Sequence, residues 1–358
     1  MINVKLLLTA FLIILLSSST KCETKTNISC LSPSNENIDW FIIYLLPEKE
    51  AKGLFYSYAD SNTKSFKNYK YNENTFPPLS LVKNLNKAER KFMWNDDQST
   101  DDTKKYSESK AHSKGMLAYD NISGFHLLHS LPRFPNISNK GEILFTLPSN
   151  AGHFGQTFLC LSISNVEGKK LEKAVDEINP FYYDQSSKLG NLQEESAINT
   201  NDSNYKNDKL ETNNSDNIIV SITTLKKLSI QLFLKKKKDS NLPWEGEIQN
   251  YYEDGFYVET WTRPSILPNV CKKNRETLGV TNLSIDNIDF SDNADHSKWG
   301  VSVKKKICCY GDLNRTESQK KRSGMVMCFE NKTIGTQISS FITEHTCCGK
   351  KKALSFLE

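Results

Sequence analysis

Apolar and polar positions alternate in short runs along this chain, and few stretches keep a helical stripe. The runs IDWFIIYLLP, GLFYSYAD, GMLAYDNISGFHLLHS, GEILFTLP, GQTFLCLSIS, LSIQLFL, GFYVETWT and GMVMCF are read as strands. In GMLAYDNISGFHLLHS two apolar runs flank Asp120, Asn121, Ser123 and Gly124, which predicts a hairpin. The mixed segments NLNKAERKFMWNDD and SDNIIVSITTLKKL are read as helices, so the expected class is α/β.

The first residues, MINVKLLLTAFLIILLSSST, place one lysine ahead of an apolar run from Leu6 to Leu16. That run is too short to span a membrane and ends in small polar residues, the pattern of a secretory signal peptide. Residues 1–22 are assigned to it, with cleavage after Cys22 or a few residues earlier. No second run of spanning length follows, so no membrane anchor is expected, and the chain is placed in the secretory pathway, lysosomal or secreted. Residues 184–217, DQSSKLGNLQEESAINTNDSNYKNDKLETNNSDN, are too polar to order themselves and read as a flexible insertion or linker. They divide an N-terminal lobe, 23–183, from a C-terminal lobe, 218–358.

Nine cysteines become eight once Cys22 leaves with the leader, an even number suited to disulfides in an oxidising compartment. None forms a CxxC pair, which argues against a zinc ribbon or a thioredoxin-like redox site. Eight N-x-S/T sequons begin at Asn27, Asn121, Asn136, Asn201, Asn213, Asn282, Asn314 and Asn331, and several are expected to carry glycans. The formal charge of +4 is mild, and protonating the six histidines in acid would take it towards about +10, favouring an anionic substrate. The basic run Lys235 to Lys238 is read as a solvated strand end rather than a binding patch, with contact to a backbone phosphate as the alternative.

The tripeptide HSK occurs twice, in AHSKGMLAYD and ADHSKWGVSV, each time just before a strand-like run. Residues i and i+2 of a strand share a face, so His112 would project with Lys114, and His296 with Lys298. One copy alone would be a chance surface feature. Two copies in similar settings, in a chain with only six histidines, point to two halves of one site.

The strings DWFIIYLLP, HSKGMLAYDNISGFHLLHSLPRFP, GQTFLCLS, TWTRPSILPNVC, DHSKWGVS and GDLNRTESQKKRSGMVMCF, in this order from about Cys30 to Cys348, resemble deoxyribonuclease II, an acid endonuclease of lysosomes and secretions. The resemblance implies a phospholipase D-like fold, a pseudo-twofold pair of α/β/α sandwich lobes in one chain, each giving one HxK motif to a shared cleft. It implies double-stranded DNA as substrate, bound through its phosphate backbone, and 3′-phosphate and 5′-hydroxyl products. It favours His296 as the central catalytic residue and assigns His129 to phosphate binding or to orienting His112. It also makes Asn314 a phosphate ligand, with Asp312 in the position that phospholipase D-like enzymes give to serine, and Gln156 either its counterpart in the first lobe or an ordinary loop glutamine. His126 and His153 receive no role, and His345 is read as structural. By the same resemblance Cys30 pairs with Cys160, Cys309 with Cys328, and Cys271 with Cys347 or Cys348. A further Cys308–Cys347 bridge would use the cysteines left over.

The chemistry of such a site follows from its residue types. A neutral imidazole can attack phosphorus and form a phosphohistidine, while a second, as imidazolium, protonates the leaving 5′-oxygen and later activates water. Lys114 and Lys298 would neutralise the charge that a divalent ion neutralises elsewhere, so no metal and no cofactor is expected. Which histidine attacks is left open, as is whether the protein is a monomer or a homodimer. A phospholipase D-like phosphodiesterase on another substrate, and a secreted DNA-binding protein without catalysis, are the competing readings.

Overall fold

Trp40–Leu45 is apolar at every position and buried at every position, because it runs through the middle of a sheet covered on both faces. Its alternate residues divide between two cores: Trp40, Ile42 and Tyr44 enter one, Phe41, Ile43 and Leu45 the other. The computed structural model describes residues 27–97, 109–138, 143–182, 218–263 and 266–349. The expected leader and the 184–217 insertion lie outside these.

The first sheet is built from β3 (Trp40–Leu45), which follows the short hairpin β1 (Cys30–Leu31) and β2 (Asn37–Ile38), together with β4 (Phe55–Asp60), β5 (Lys67–Lys70), β6 (Arg90–Asn95), β7 (Lys114–Tyr119) and β8 (Ser123–His129). A two-residue pair, β9 (Asn136–Ile137) and β10 (Ile143–Leu144), precedes its last strand, β11 (Gln156–Ser164). Its order is β5-β4-β3-β11-β8-β7-β6. The second sheet contains β12 (Ile218–Thr223), β13 (Ser229–Lys235), β14 (Phe256–Thr260), β15 (Thr277–Ile285), β16 (Ile288–Ser291), β17 (Lys298–Ser302), β18 (Ile307–Gly311) and β19 (Gly324–Glu330), with β20 (Ile342–His345) paired to β15. Its order is β12-β13-β19-β18-β17-β14-β15-β16. The run β11-β8-β7-β6 in the first sheet matches β19-β18-β17-β14 in the second, and both runs are antiparallel throughout.

A shared core lies between the sheets. Leu159, Leu161 and Ile163 of β11 meet Met325, Met327 and Phe329 of β19 there, along with residues of two amphipathic helices, Asn165–Glu177 and Lys332–Phe341. Each helix is started by a side-chain cap: Ser164 Oγ accepts from Glu167 N, and Asn331 Oδ1 from Ile334 N. The outer face of the first sheet is covered by helix Pro77–Asn84, and that of the second by Trp244 and helix Glu247–Tyr252. The result is an α/β fold dominated by sheet, with few helices.

Two expected helices are strands. In NLNKAERKFMWNDD Asn84 ends the helix Pro77–Asn84, Leu85–Lys87 adds one helical turn, and Arg90–Asn95 is β6, its apolar triplet paired with β7. SDNIIVSITTLKKL supplies β12, where Ile218, Val220 and Ile222 are buried at alternate positions, a period of two rather than 3.6.

The disulfides are Cys30–Cys160, Cys309–Cys328 and Cys271–Cys348. The Cys308–Cys347 bridge is not formed. Neighbouring cysteines on a strand face opposite ways, so Cys309 reaches Cys328 on the outer face while Cys308 is enclosed in the shared core, and Cys347 is exposed.

Candidate active site

Lys114 opens β7 and Lys298 opens β17, the strands in matching positions of the two sheets. Each histidine stands two residues earlier, beyond the end of its strand, and its backbone bonds to the opposite unit. His112 N donates to Ser323 O at 2.9 Å, and His296 N to Gly155 O at 2.9 Å. At the second junction the chains pass so closely that a Cβ on Gly155 would stand 2.6 Å from Asp295 Oδ1, which explains the glycine. These reciprocal bonds bring the two motifs face to face. His112, Lys114, His296, Lys298 and Asn314 line one cleft of about 210 Å³, with Asp96, Asp97, Ser130, Pro132 and Trp261.

The two histidines have different surroundings. His112 Nδ1 bonds the backbone carbonyl of Asp312, and since a carbonyl only accepts, Nδ1 carries the proton and Nε2 is left for chemistry. His296 is stacked on Phe154, ring centres 3.9 Å apart and 7° from parallel, with Trp261 packed against it at 3.9 Å and 71°. Its Nε2 is buried without a hydrogen-bond partner. Burial, then the Lys298 and Lys114 ammoniums, push His296 down to about 3. Burial and Lys114 also carry His112 well below the usual imidazole range, but there the Asp96 carboxylate pulls the other way.

The lysines are held unequally as well. Lys114 Nζ is ion-paired with Asp96 Oδ1, and Arg322, reaching over from the second unit, takes Asp96 Oδ2 at 2.9 Å. Burial alone would raise Asp96, yet the charges of Lys114, His112 and Arg322 outweigh it and hold the carboxyl below its ordinary range. Lys298 Nζ donates to the carbonyl of His296, and burial with the nearby Lys114 brings it down to about 7. Among the described residues, no group of three or more His, Cys, Asp or Glu is placed to hold a metal ion.

A sequence profile of the family Deoxyribonuclease II matches residues 29–348. The chain belongs to the deoxyribonuclease II family. As a member it is a deoxyribonuclease, a hydrolase. It is 28% identical to mouse (Mus musculus) Deoxyribonuclease-2-alpha over 90% of this chain and 94% of the mouse protein. It is 26% identical to Cell-death-related nuclease 7 of Caenorhabditis elegans, covering 92% and 91%, and 27% identical to Plancitoxin-1 of Acanthaster planci, covering 94% and 97%.

The other expected residues of this deoxyribonuclease occupy varied places. Asn314 follows β18 and lines the cleft; it is 7% exposed and its Oδ1 has no partner. Gln156 does not line the cleft. It is buried at the start of β11 and accepts from Ser130 Oγ at 2.6 Å, so Ser130, which follows β8 as Asn314 follows β18, presents the polar group. His129 is buried between Phe134 and Phe158, behind Lys114, and burial first, then Lys114, bring it down to about 3. His126 is enclosed against Trp94, while His153 and His345 are exposed.

Several residues of the site carry no motif. Asp96 and Arg322 lie in the ordinary-looking strings WNDD and KKRS, and only the tertiary structure joins them to Lys114. Phe154 and Trp261 come from separate units and meet at His296. Beneath Lys298, Asp295 accepts from Tyr44 Oη and from Ser297 Oγ at 2.8 Å. Glu259 is buried there with neither carboxyl oxygen bonded, and burial, reinforced by Asp295 and Asp292, keeps it protonated well above the usual range.

Proposed function

We propose that this deoxyribonuclease is a metal-independent acid endonuclease that cuts double-stranded DNA to 3′-phosphate and 5′-hydroxyl ends through a phosphohistidine, in a cleft between two similar phospholipase D-like lobes. The observation that carries the reading is the single cleft that both HSK pairs and Asn314 line. The matching strand order on either side of it supports a duplicated architecture, with lobes 23–183 and 218–358.

The asymmetry of the histidines supports a division of labour. His296, surrounded by aromatic rings and cations, keeps a neutral Nε2 in acid and attacks phosphorus as the P–O5′ bond breaks. His112 takes the acid's part on its contacts: a carbonyl accepts from Nδ1, the Asp96 carboxylate partly offsets the burial and the Lys114 charge that lower it, and it passes its Nε2 proton to the departing O5′ once the phosphodiester anion is bound. Water then adds to phosphorus, giving its proton back to His112 while the N–P bond to His296 breaks. Lys114, Lys298 and the Asn314 amide face the non-bridging oxygens. Acid favours the cycle because burial lowers the pH at which the cleft holds an imidazolium, and a bound phosphodiester anion raises it again only in part.

The disulfides and the expected leader support a secretory destination, lysosomal or secreted, and no described helix is long and apolar enough to cross a membrane. Plasmid nicking at about pH 5 in excess chelator, followed by end-group analysis, tests the reading. Nicked DNA with 3′-phosphate ends is expected; cleavage that stops when divalent ions are removed contradicts it.

A further inference from the structure

Three lysine-bearing segments far apart in sequence are fastened into one surface beside the first HSK motif. Lys235, the last residue of β13, is 1% exposed, and its Nζ donates to the carbonyls of Lys236 (3.2 Å), Lys320 (2.9 Å) and Arg322 (2.8 Å). Arg322 continues the chain: Nε donates to Lys110 O at 2.8 Å and Nη2 to Ala111 O at 3.0 Å, while the same Nη2 holds Asp96 in the cleft wall. Residues 235–238, 320–322 and 110–112 therefore form a continuous path that ends at His112.

The charge along this path is only partly neutralised. Lys236 pairs with Glu177 at 2.5 Å and Lys320 with Glu317 at 2.9 Å, and Lys110 donates to Asn179 Oδ1 at 2.6 Å. Asp239, the acidic residue in the turn, is buried and accepts from Lys236 N at 2.7 Å, so it faces inward. Lys237 and Lys321 are exposed and make no ion pair among the described residues. A merely solvated lysine run would not need a buried ammonium spent on holding its two loops together.

We infer that this ridge is a second binding surface for duplex DNA, with Lys237 and Lys321 contacting phosphates that flank the one being cut. The inference rests on the reading of DNA as substrate. It assigns the ridge a role in affinity alone, since phosphate contacts position a duplex without reading its sequence.

The test is plasmid nicking by the Lys237→Gln/Lys321→Gln variant over a salt series, with Lys237→Arg/Lys321→Arg as a charge-preserving control. Losing two phosphate contacts should reduce the slope of log affinity against log salt by about 1.8, and raise KM roughly tenfold or more near 0.1 M salt with kcat unchanged. The arginine pair should keep the wild-type slope. An unchanged KM and slope in the glutamine pair overturns the inference, as does a fall in kcat alone. Were the wild type to leave DNA uncut, the functional reading would fail first. Anisotropy of a labelled 20-base-pair duplex over the same salt series would then still decide the ridge, by the same slope.

Discussion

The Nδ1–H of His112 is held by the backbone carbonyl of Asp312, 200 residues away in the other unit. One unit thus fixes the tautomer of the other unit's His112 imidazole, and that tautomer is held only when both are folded together. Asp312 itself, buried and with Ser113 and Met325 N bonded to its carboxyl, is raised by burial to about 7, so near pH 5 it adds no negative charge beside His112. The carboxylate left to favour the His112 imidazolium is that of Asp96.

Asp96→Asn should therefore shift the pH–rate profile to lower pH. The asparagine keeps a similar shape but loses the negative charge that raises His112, so protonation of His112, the proposed acid, requires a more acidic solution. Activity near pH 5 should fall at least tenfold, with partial recovery near pH 4, because the protonated fraction drops about tenfold for every pH unit by which the profile moves. A uniform loss at every pH would show that Asp96 only holds Lys114 and Arg322 in place.

Phe154→Ala should act on the other histidine in the opposite direction. Removing the ring stacked on His296 admits water, and the imidazole should rise from about 3 towards its ordinary range. A nucleophile protonated in acid is lost to the reaction, so the rate should drop more at pH 4.5 than at pH 6.5. Histidine titration by NMR on wild type and variant measures the change directly.

Stability should respond to Glu247. Burial and Asp239 raise its carboxyl to about 7, so the folded state keeps a proton that the unfolded chain gives up above roughly pH 4.5. That penalty is absent below the unfolded value, grows as pH rises, and is complete above the folded value. Glu247→Gln should raise the thermal midpoint at pH 7.5, by at most about 3 kcal/mol of stability, and leave it nearly unchanged at pH 4.5. Equal effects at both pH values would contradict the assignment.

Thiol and glycan mapping checks the two junction details. Of the described cysteines, Cys347 should react with a thiol reagent in the native protein and Cys308 only after denaturation, because Cys308 is enclosed in the shared core. The sequon at Asn314 should be unoccupied, since Asn314, in the cleft wall, is 7% exposed and Thr316 is 2% exposed. A glycan at Asn314 would block the site it is said to serve.

The repeated HSK was legible because chemistry of that kind at two places has no folding purpose, and the buried strands were legible from their unbroken apolar runs. What the sequence hid were partnerships made across the two sheets. Asp96 and Arg322 lie 226 residues apart and look like loop charges until the fold joins them. The polar partner of Asn314 was sought at Gln156, which in fact supports Ser130 from behind. In β6 the residues Phe92, Met93 and Trp94 fit a helix as well as a strand, and pairing with β7 decides the matter. The fates of Cys308 and Cys309, by contrast, were available to alternation along a strand.

The central claim is that imidazoles from opposite sheets act on one phosphorus, His296 as nucleophile and His112 as acid. Single-turnover cleavage of an end-labelled duplex near pH 5 in chelator, quenched in alkaline denaturant and mapped by peptide mass, tests it most directly. The account predicts a covalent DNA adduct on His296 in the wild type, and neither adduct nor cleavage in His112→Ala or His296→Ala. Cleavage without any adduct, an adduct on another residue, or wild-type cutting by either variant would contradict it.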